Sequence, residues 1–576
     1  MTRTRLFTAV LPTLIMIAIA ACGPTGRGEP PAQSPSGADT QRSSAPQRTL
    51  VIAIRGELPS LAAKPLVPVT GALAPPTTLF NATLDFNDER GNPRPILAEA
   101  LPQAGTDSWR VLPDGRMETT YKLKPNLSWH DGKPLTADDF VFAWRVYATP
   151  ELGVATSPPI GQMEEVVAMD PRTVMIRWRQ TYGEAGILQD QFQALPRHIL
   201  GEQFQNLDPL SFSSLPFWTT EYVGLGPYKI TTWEPGAYVD AAAFDGYVLG
   251  RPKIDRIRVQ VFSDPNAAIA GILSQQVHFV GDFVFSETDG ETLEHRWEQD
   301  HGGKVLYAPV ELRLSVLQLR PEYADPPALL DVRVRRAIAQ SIDASIAVEV
   351  LTGGKGLLTQ TLSSPAADYY PEIEKVFVKH PYDPRQAATL IEEAGFVRQS
   401  NGFFADRGGK QLGIGVWSSS GAKNERENAI YTDSLKRSGF DATTYVFSAE
   451  QLRDAQARAL IPGIGIRGFG QKRIEAYTSE QIPRPESRWQ GDNRGGWSNP
   501  EFDQLFAAYV TTLDRTQRIQ EIAQMERVFS ADTAGIPHFF SAIVNAHVGS
   551  LQGPVQRTTP ESGIGYLHVH NWEWRS

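Results

Sequence analysis

Between residues 120 and 147, polar and apolar positions follow one another in an order that predicts local structure. Residues 120–124 are rich in strand-forming side chains, and Asp131-Gly132 then favours a tight turn because glycine accepts positive φ. Thr136 precedes Asp139 by three residues, a spacing typical of a helix N-terminus. A helix with one apolar face should follow, formed by Phe140, Val141, Ala143, Trp144 and Tyr147.

Similar patterns extend along the rest of the chain. Runs with strand character lie at residues 49–54, 174–178, 228–233, 257–262 and 315–319, with helical patterns between them. The clearest helix is residues 514–529, which begins with Asp514 and, three residues on, Gln517. Mixed elements of this kind predict an α/β or α+β architecture, and about 530 residues beyond the N-terminal segment predict two or three domains.

The N-terminal sequence predicts that the mature protein is located outside the cytoplasm. Arg3 and Arg5 precede an apolar stretch too short to span a bilayer comfortably, so residues 1–21 are predicted to be a signal peptide. The stretch ends in Ile-Ala-Ala-Cys, which resembles a bacterial lipobox and implies that Cys22 is lipidated and anchors the mature chain to a membrane. Cys22 is the chain's one cysteine, which excludes an intrachain disulfide. Residues 22–47 would be the lipidated cysteine and a flexible tether rich in Pro, Gly, Ser and Thr.

Charge and motifs narrow the function. The formal net charge is −10, and removing residues 1–21 takes away two positive charges and no acids, giving −10 − 2 = −12. An acidic chain argues against a nucleic-acid partner. The sequence has no G-x-S-x-G, H-E-x-x-H, P-loop or strand-flanked G-x-G-x-x-G motif. Without these motifs, we expect no enzyme activity and no cofactor. His568 and His570 would share one side of a predicted strand but lack an obvious third ligand, so we also expect no metal site.

A series of segments resembles one protein family. Residues 129–140, WHDGKPLTADDF, are similar to the hallmark of the family 5 extracellular solute-binding proteins, the oligopeptide-, dipeptide- and nickel-binding receptors of ABC importers. Residues 95–100 resemble the family's P-x-LAE element, and Leu225 stands where the family's GTGPY segment usually has Thr. Other segments follow in the family's order, at residues 224–236, 247–267, 331–343, 382–396 and 497–503.

The resemblance implies an α/β fold of the periplasmic-binding-protein type II class, with two ligand-closing lobes plus an extra domain. Domain I, the first lobe, would combine residues 48–80, 222–308 and 541–576. Domain II, the extra domain, would be residues 81–221 and would hold the WHDG segment away from the ligand. Domain III, the second lobe, would be residues 309–540.

The resemblance also implies where a ligand would bind. In peptide receptors of the family, an Asp in a W-x-ADYxDP segment fixes the α-amino group of the peptide. The corresponding stretch here, residues 465–473, has no Asp and carries Arg467, Lys472 and Arg473 instead. Arginines there would favour an anionic ligand through charge-assisted hydrogen bonds, unless they are simply solvated. Glu475 is an alternative anchor for an amine.

Four further residues complete the predicted ligand contacts. Glu57 follows the first strand, and Arg320 follows the strand at 315–319. Trp417 and Phe469 could supply aromatic walls, although such residues more often belong to a core.

The leading interpretation is a lipid-anchored, monomeric substrate-binding protein of an ABC importer. It would capture a peptide or another small solute between two lobes and deliver it to a membrane permease. Two alternatives stay open: a secreted lipoprotein hydrolase, and a sensory solute-binding lipoprotein that is not coupled to transport.

Overall fold

The computed structural model describes residues 48–575 except 63, 65, 67–75, 153–154, 156–157, 299–301, 471–473, 488 and 561–564. The predicted signal peptide and the whole predicted tether, including Cys22, lie outside the described residues. Among the described residues, no helix is both long enough and apolar enough to cross a membrane.

The described strands are β1 (Leu50–Ile54), β2 (Asp85–Asn87), β3 (Pro93–Pro95), β4 (Trp109–Val111), β5 (Met117–Lys122), β6 (Met163–Asp170), β7 (Thr173–Trp178), β8 (Tyr228–Glu234), β9 (Tyr238–Ala243), β10 (Arg256–Val261), β11 (Phe279–Phe285), β12 (Gly303–Leu317), β13 (Leu357–Leu358), β14 (Val397–Arg398), β15 (Phe404–Ala405), β16 (Gly413–Ser418), β17 (Asp441–Val446), β18 (Ile464–Phe469), β19 (Gly535–Val548), β20 (Leu551–Gln552) and β21 (Glu573–Trp574).

The described α-helices are α1 (Ala137–Tyr147), α2 (Arg197–Asn206), α3 (Pro209–Ser213), α4 (Pro265–Leu273), α5 (Glu287–Trp297), α6 (Val332–Ser341), α7 (Ala344–Thr352), α8 (Tyr370–Glu374), α9 (Pro384–Glu393), α10 (Ala422–Ser438), α11 (Ala449–Arg453), α12 (Ala455–Ala459), α13 (Pro500–Thr511) and α14 (Arg515–Asp532).

One large sheet runs through most of the molecule, in the order β17-β16-β18-β12-β19-β11-β1-β10-β9-β8. It contains two parallel groups: β1 pairs with β10 and β11, and β16 pairs with β17 and β18. The long strands β12 and β19 pair antiparallel with each other and join the two groups. Their register shifts between residues 309 and 311, opposite the Ser541–Ala542 step of β19. The same two strands therefore belong to both halves of the sheet.

A second, antiparallel sheet has the strand order β4-β5-β7-β6. The WHDG segment, residues 129–132, precedes α1, which packs against β6 and β7 of this sheet. The predicted start of α1 is confirmed, because the Asp139 carboxylate accepts the backbone N–H of Thr136 at 2.9 Å. Trp129 is fully buried, as its size favours. His130 connects this region to the large sheet: its Nε2 lies 3.0 Å from the carbonyl oxygen of Gly226, and its Nδ1 accepts the Gly224 N–H at 3.2 Å.

Apolar side chains cover both faces of the sheet in the half that contains β16 and β18. Leu314, Val316 and Phe469 face one hydrophobic cluster, and Leu317 and Ile466 face another. The predicted helix near residues 514–529 is observed as α14, whose N-cap Asp514 accepts the Gln517 N–H at 2.7 Å.

Two sequence-based expectations were wrong in extent or type. The strand expected at 315–319 is the end of β12, which begins at Gly303. The strand expected at His568 and His570 is not formed, since His568 has φ 56° and His570 lies in a short 3-10 turn. Their ring centroids are 6.3 Å apart, and burial lowers the pKa of His570 to about 4.

Candidate functional site

The register of the large sheet shows where the two parallel groups meet. Phe285 ends β11 opposite Val544 of β19, and Phe469 ends β18 opposite Leu312 of β12. Both strands therefore run, from opposite sides, toward the register shift near residue 310. Ligands of open α/β sheets bind outside the carboxyl ends of parallel strands. The candidate site is the region where the carboxyl ends of the two parallel groups face the register shift of the β12–β19 pair.

Glu57 lies on the first side of this site, three residues beyond β1. Its side chain is exposed, and its Oε1 accepts the backbone N–H of Gly236 at 2.9 Å. Gly236 has φ 73° and lies in the turn between β8 and β9. Glu57 is thus held near the carboxyl end of β1, and its contact with a ligand stays a prediction.

Trp417 lies on the second side, on β16. Its ring stacks on Tyr445 of β17 at a centroid distance of 4.7 Å and an angle of 15°, and it also contacts Phe447. The Trp417 Nε1–H is buried, and no described residue accepts its hydrogen bond. A ligand acceptor would satisfy this donor, because an unpaired buried N–H is costly. Trp417, Tyr445 and Phe447 thus form an aromatic stack at this side of the site.

Arg467 and Phe469 lie on the neighbouring strand, β18. They share one face of the sheet because they are two residues apart, and Trp417 belongs to the same face because it pairs with Gly465. The Arg467 guanidinium lies 4.1 Å from the Phe469 ring centroid, forms an ion pair with Asp492, and donates to the Asp492 carbonyl oxygen at 2.9 Å. The structure therefore brings Trp417, Arg467 and Phe469 onto one face of the sheet. On that face Phe469 is only 6% exposed and packs in the hydrophobic cluster with Leu314 and Val316, so its contact with a ligand stays a prediction.

Arg320 lies at the opposite end of the same half-sheet. It follows β12, whose end pairs with the start of β18, so its backbone lies away from the carboxyl ends of β11 and β18. Its guanidinium donates to backbone carbonyl oxygens of Pro483 at 3.1 Å and Arg494 at 2.7 Å, and also to that of Ala459. Burial lowers the pKa of Arg320. These contacts fix two loops and the end of α12.

Lys472 and Arg473 lie outside the described residues. Glu475, two residues after Arg473, begins a short 3-10 helix, Glu475–Tyr477.

Two arginines near Arg467 were not selected by any sequence motif. Arg458 is the fourth residue of the short helix α12, and Arg494 lies in the loop before α13. Burial first, and then the positive charges of Arg467 and Arg458, lower the pKa of Arg494 to about 9. No local pattern in the Asp-Asn-Arg-Gly-Gly stretch at 492–496 indicates this environment, because the charges come from separate segments.

A buried ion pair crosses the junction between the two parallel groups. Glu287, the first residue of α5, is only 1% exposed, and its carboxylate accepts Lys423 Nζ of α10 at 2.9 Å. The same carboxylate accepts Ser541 Oγ at 2.8 Å and the Ala542 N–H at 3.0 Å, at the register shift of β19. The pair links an element of each parallel group to the strand that joins them.

Comparison with known proteins identifies the class. The family described as "Bacterial extracellular solute-binding proteins, family 5 Middle" matches residues 99–477, more than half of the chain. The chain belongs to the family 5 solute-binding proteins. The oligopeptide-binding protein AppA of Bacillus subtilis is 25% identical over 473 residues, which cover 81% of each chain. Di/tripeptide-binding protein 2 of Pseudomonas aeruginosa is 22% identical over 522 residues, covering 85% of this chain and 89% of that protein.

Solved structures show the same fold. NikZ from Campylobacter jejuni, in complex with Ni(L-His), superposes with a TM-score of 0.72 at 20% identity, covering 92% of this chain and all of that chain. AppA from Bacillus subtilis, in complex with a nonapeptide, gives a TM-score of 0.70 at 21% identity, covering 92% and 99%. The expected periplasmic-binding-protein type II fold is confirmed. As a family 5 member, the protein is an extracytoplasmic solute-binding protein.

Proposed function

We propose that this family 5 protein is the lipid-anchored, monomeric substrate-binding component of an ABC importer. It captures a peptide or another small solute between two lobes and presents that solute to a membrane permease. The observation that carries the proposal is the family match over residues 99–477. It is supported by the carboxyl ends of the two parallel groups, which face the register shift of the β12–β19 pair. Anchoring through Cys22 keeps the receptor near the permease at high effective concentration.

The proposed lobes follow the strand pairing. Residues 48–80, 222–308 and 541–576 form domain I, residues 81–221 form domain II, and residues 309–540 form domain III. The boundaries at 308/309 and 540/541 are supported by the register of β12 and β19, in which Pro309 pairs with Ala542 and Glu311 with Ser541. A hinge at one position of a strand pair lets both lobes keep their own hydrogen bonds while they close.

The proposed ligand contacts divide between the lobes. Glu57 belongs to domain I, and Trp417, Arg467 and Phe469 belong to domain III. Arg320 also belongs to domain III, but its described hydrogen bonds support a role in fixing loops rather than in ligand contact.

Native mass spectrometry tests the solute-binding proposal on the mature chain that begins at Cys22. The protein is measured in detergent as purified, and again after unfolding and refolding to strip any retained solute. We expect a bound small molecule that stripping removes and that restores the original mass when it is added back. A stripped protein that binds no fraction of a solute extract, although it has refolded, contradicts the proposal.

Membrane attachment is tested separately with Cys22→Ala in the full chain. We expect the wild-type protein in the membrane fraction and the variant in the soluble extracytoplasmic fraction, because the thiol is the acylation site. Equal distribution of the two proteins between the fractions contradicts lipid anchoring through Cys22.

A further inference from the structure

Arg458, Arg467 and Arg494, here called the arginine cluster, bring three cations to one region of domain III. Arg467 lies on β18, on the face that carries Phe469. Arg467 pairs with Asp492, two residues before Arg494. One nitrogen of the Arg320 guanidinium donates both to the carbonyl oxygen of Ala459, the neighbour of Arg458, and to that of Arg494, so the three arginines lie in adjoining segments. The positive charges of Arg458 and Arg467 accordingly both act on the Arg494 guanidinium. Asp492 is the only carboxylate among the described residues that opposes them at Arg494, and it already forms an ion pair with Arg467.

The side-chain donors of this cluster are incompletely used. No described residue accepts a hydrogen bond from the Arg494 guanidinium, although that group is partly buried. Arg458 donates through one terminal nitrogen to the Leu452 carbonyl oxygen at 2.5 Å, and its Nε is buried without an acceptor among the described residues. A protein interior normally supplies acceptors to such groups, because a buried unpaired donor costs free energy.

The loop that carries Arg494 is held rigidly from both sides. Asn493, 1% exposed, donates to the carbonyl oxygens of Thr478 at 3.0 Å and Trp497 at 2.7 Å. On the other side, Arg320 donates to the carbonyl oxygen of Arg494 at 2.7 Å. The backbone at Arg494 is therefore fixed, while its guanidinium donors have no acceptor among the described residues. Unused donors on a fixed backbone are typical of a preorganised binding site.

We infer that the arginine cluster is an oxyanion-binding site, which takes a carboxylate or phosphate group of the imported solute. The inference rests on the proposed solute-binding function and specifies its ligand class. Guanidinium groups suit this task because their planar arrays of N–H donors match carboxylate and phosphate oxygens. A bound oxyanion would satisfy the free donors of Arg494 and Arg458 and reduce the repulsion among the three cations.

The test uses Arg494→Gln, which removes the charge and keeps hydrogen-bonding capacity, with Arg515→Gln as a matched control. Arg515 lies on α14, its side chain is 70% exposed, and it pairs with the exposed Asp368. Thermal unfolding of the stripped proteins is followed in sodium phosphate, sodium succinate and sodium chloride at equal ionic strength, so that general screening is constant. The phosphate and succinate arms distinguish a phosphate group from a carboxylate group.

We expect phosphate or succinate to raise the Tm of the wild type and of Arg515→Gln above its value in chloride. The apparent affinity of Arg494→Gln for the effective anion should fall roughly tenfold or more, because a charge-assisted hydrogen bond is lost. Without added oxyanion, Arg494→Gln should have a Tm equal to or above that of the wild type, because it removes a repelled charge. A lower Tm in chloride, or an unchanged anion response, overturns the inference.

A second readout separates this inference from the proposed function. The solute recovered by stripping is added back to the wild type and to both variants. An acidic solute whose binding is weakened only in Arg494→Gln supports the site. A neutral solute that binds all three proteins equally overturns the oxyanion site and leaves the importer function standing. If no solute binds, the proposed function fails, and the phosphate and succinate titrations still decide whether the cluster binds oxyanions.

Discussion

Replacing Lys423 by Met should destabilise the protein, because it leaves the Glu287 carboxylate buried without its counter-charge. Glu287 is 1% exposed, and Lys423 Nζ contacts its two carboxylate oxygens at 2.9 and 3.1 Å. Removing one partner of a buried ion pair typically costs about 3–5 kcal/mol. The Lys423 side chain is 30% exposed, so water can partly replace it, and Ser541 and Ala542 still donate to the carboxylate. We therefore expect a loss of about 2–3 kcal/mol in the free energy of unfolding.

The second partner defines the interaction energy. Glu287→Gln should cost less, about 1–2 kcal/mol, because the amide oxygen can still accept the N–H of Ala542 while Lys423 turns toward solvent. The double variant should be more stable than the sum of the two losses predicts, by about 1–2 kcal/mol, because neither charge is left alone. Lys355→Met is the matched control, since Lys355 pairs at 3.2 Å with Glu294 on the same helix but both side chains are about one-third exposed. It should cost at most about 1 kcal/mol.

Urea unfolding of the four variants and the wild type, followed by tryptophan fluorescence, measures these free energies. Strictly additive losses, or a Lys423→Met variant no less stable than Lys355→Met, would refute the claim that the pair is a buried, coupled interaction. Linear urea dependence with unchanged slope is the check that all five proteins unfold from comparable native states.

The remaining predictions concern other buried groups. Arg313→Met should cost about 3–5 kcal/mol in urea unfolding, because it isolates Glu427, which lies 2.5 Å from the Arg313 guanidinium in the core; replacing both residues by apolar ones should recover most of this loss. Burial lowers the pKa of His130 to about 4, below the ordinary pKa that this histidine has in the unfolded chain. At pH values below that ordinary pKa, the unfolded chain therefore binds more protons than the folded protein, and this favours unfolding. Between about pH 7 and about pH 5, stability should fall by about 1–2 kcal/mol more in the wild type than in His130→Gln, and an identical fall contradicts this. Gly226→Ala would place a Cβ 2.3 Å from backbone atoms and should cost at least about 2 kcal/mol in urea unfolding, whereas Gly201→Ala on α2 should be neutral or stabilising by up to about 1 kcal/mol in the same assay.

Local signals explain which elements could be predicted from the sequence. The helices α1 and α14 begin at capping residues three positions before their partners, so a few neighbouring side chains determine where they start. The sequence predicts only the end of the long strand β12, because Pro309 interrupts the pattern and proline normally marks a strand boundary. In the structure, Pro309 lies at the register shift, where the ladder is already irregular. Its position depends on pairing with β19, more than 200 residues away.

The candidate site shows the same division between local and long-range information. Trp417 and Phe469 could be proposed from their position after apolar strand patterns, but their common face depends on the register between β16 and β18. Arg320 was proposed because it follows a strand, and the antiparallel pairing of β12 with β18 places it at the other end of the half-sheet. Arg494 had no local signal at all. Charge environments formed by three separate segments become visible only after the chain has folded.

The helix α10 connects the proposed ligand surface to the proposed junction between the lobes. The loop at 419–421 continues directly from β16, which carries Trp417, into α10. Lys423 lies in the first turn of that helix and pairs with Glu287 of proposed domain I. Glu427, one turn later, pairs with Arg313 of β12. A displacement of the loop by a ligand would therefore act on the helix that holds both ion pairs. The proposed lobe closure and the proposed ligand contact at Trp417 therefore share α10, so Lys423→Met should also weaken solute binding although Lys423 is not placed among the ligand contacts.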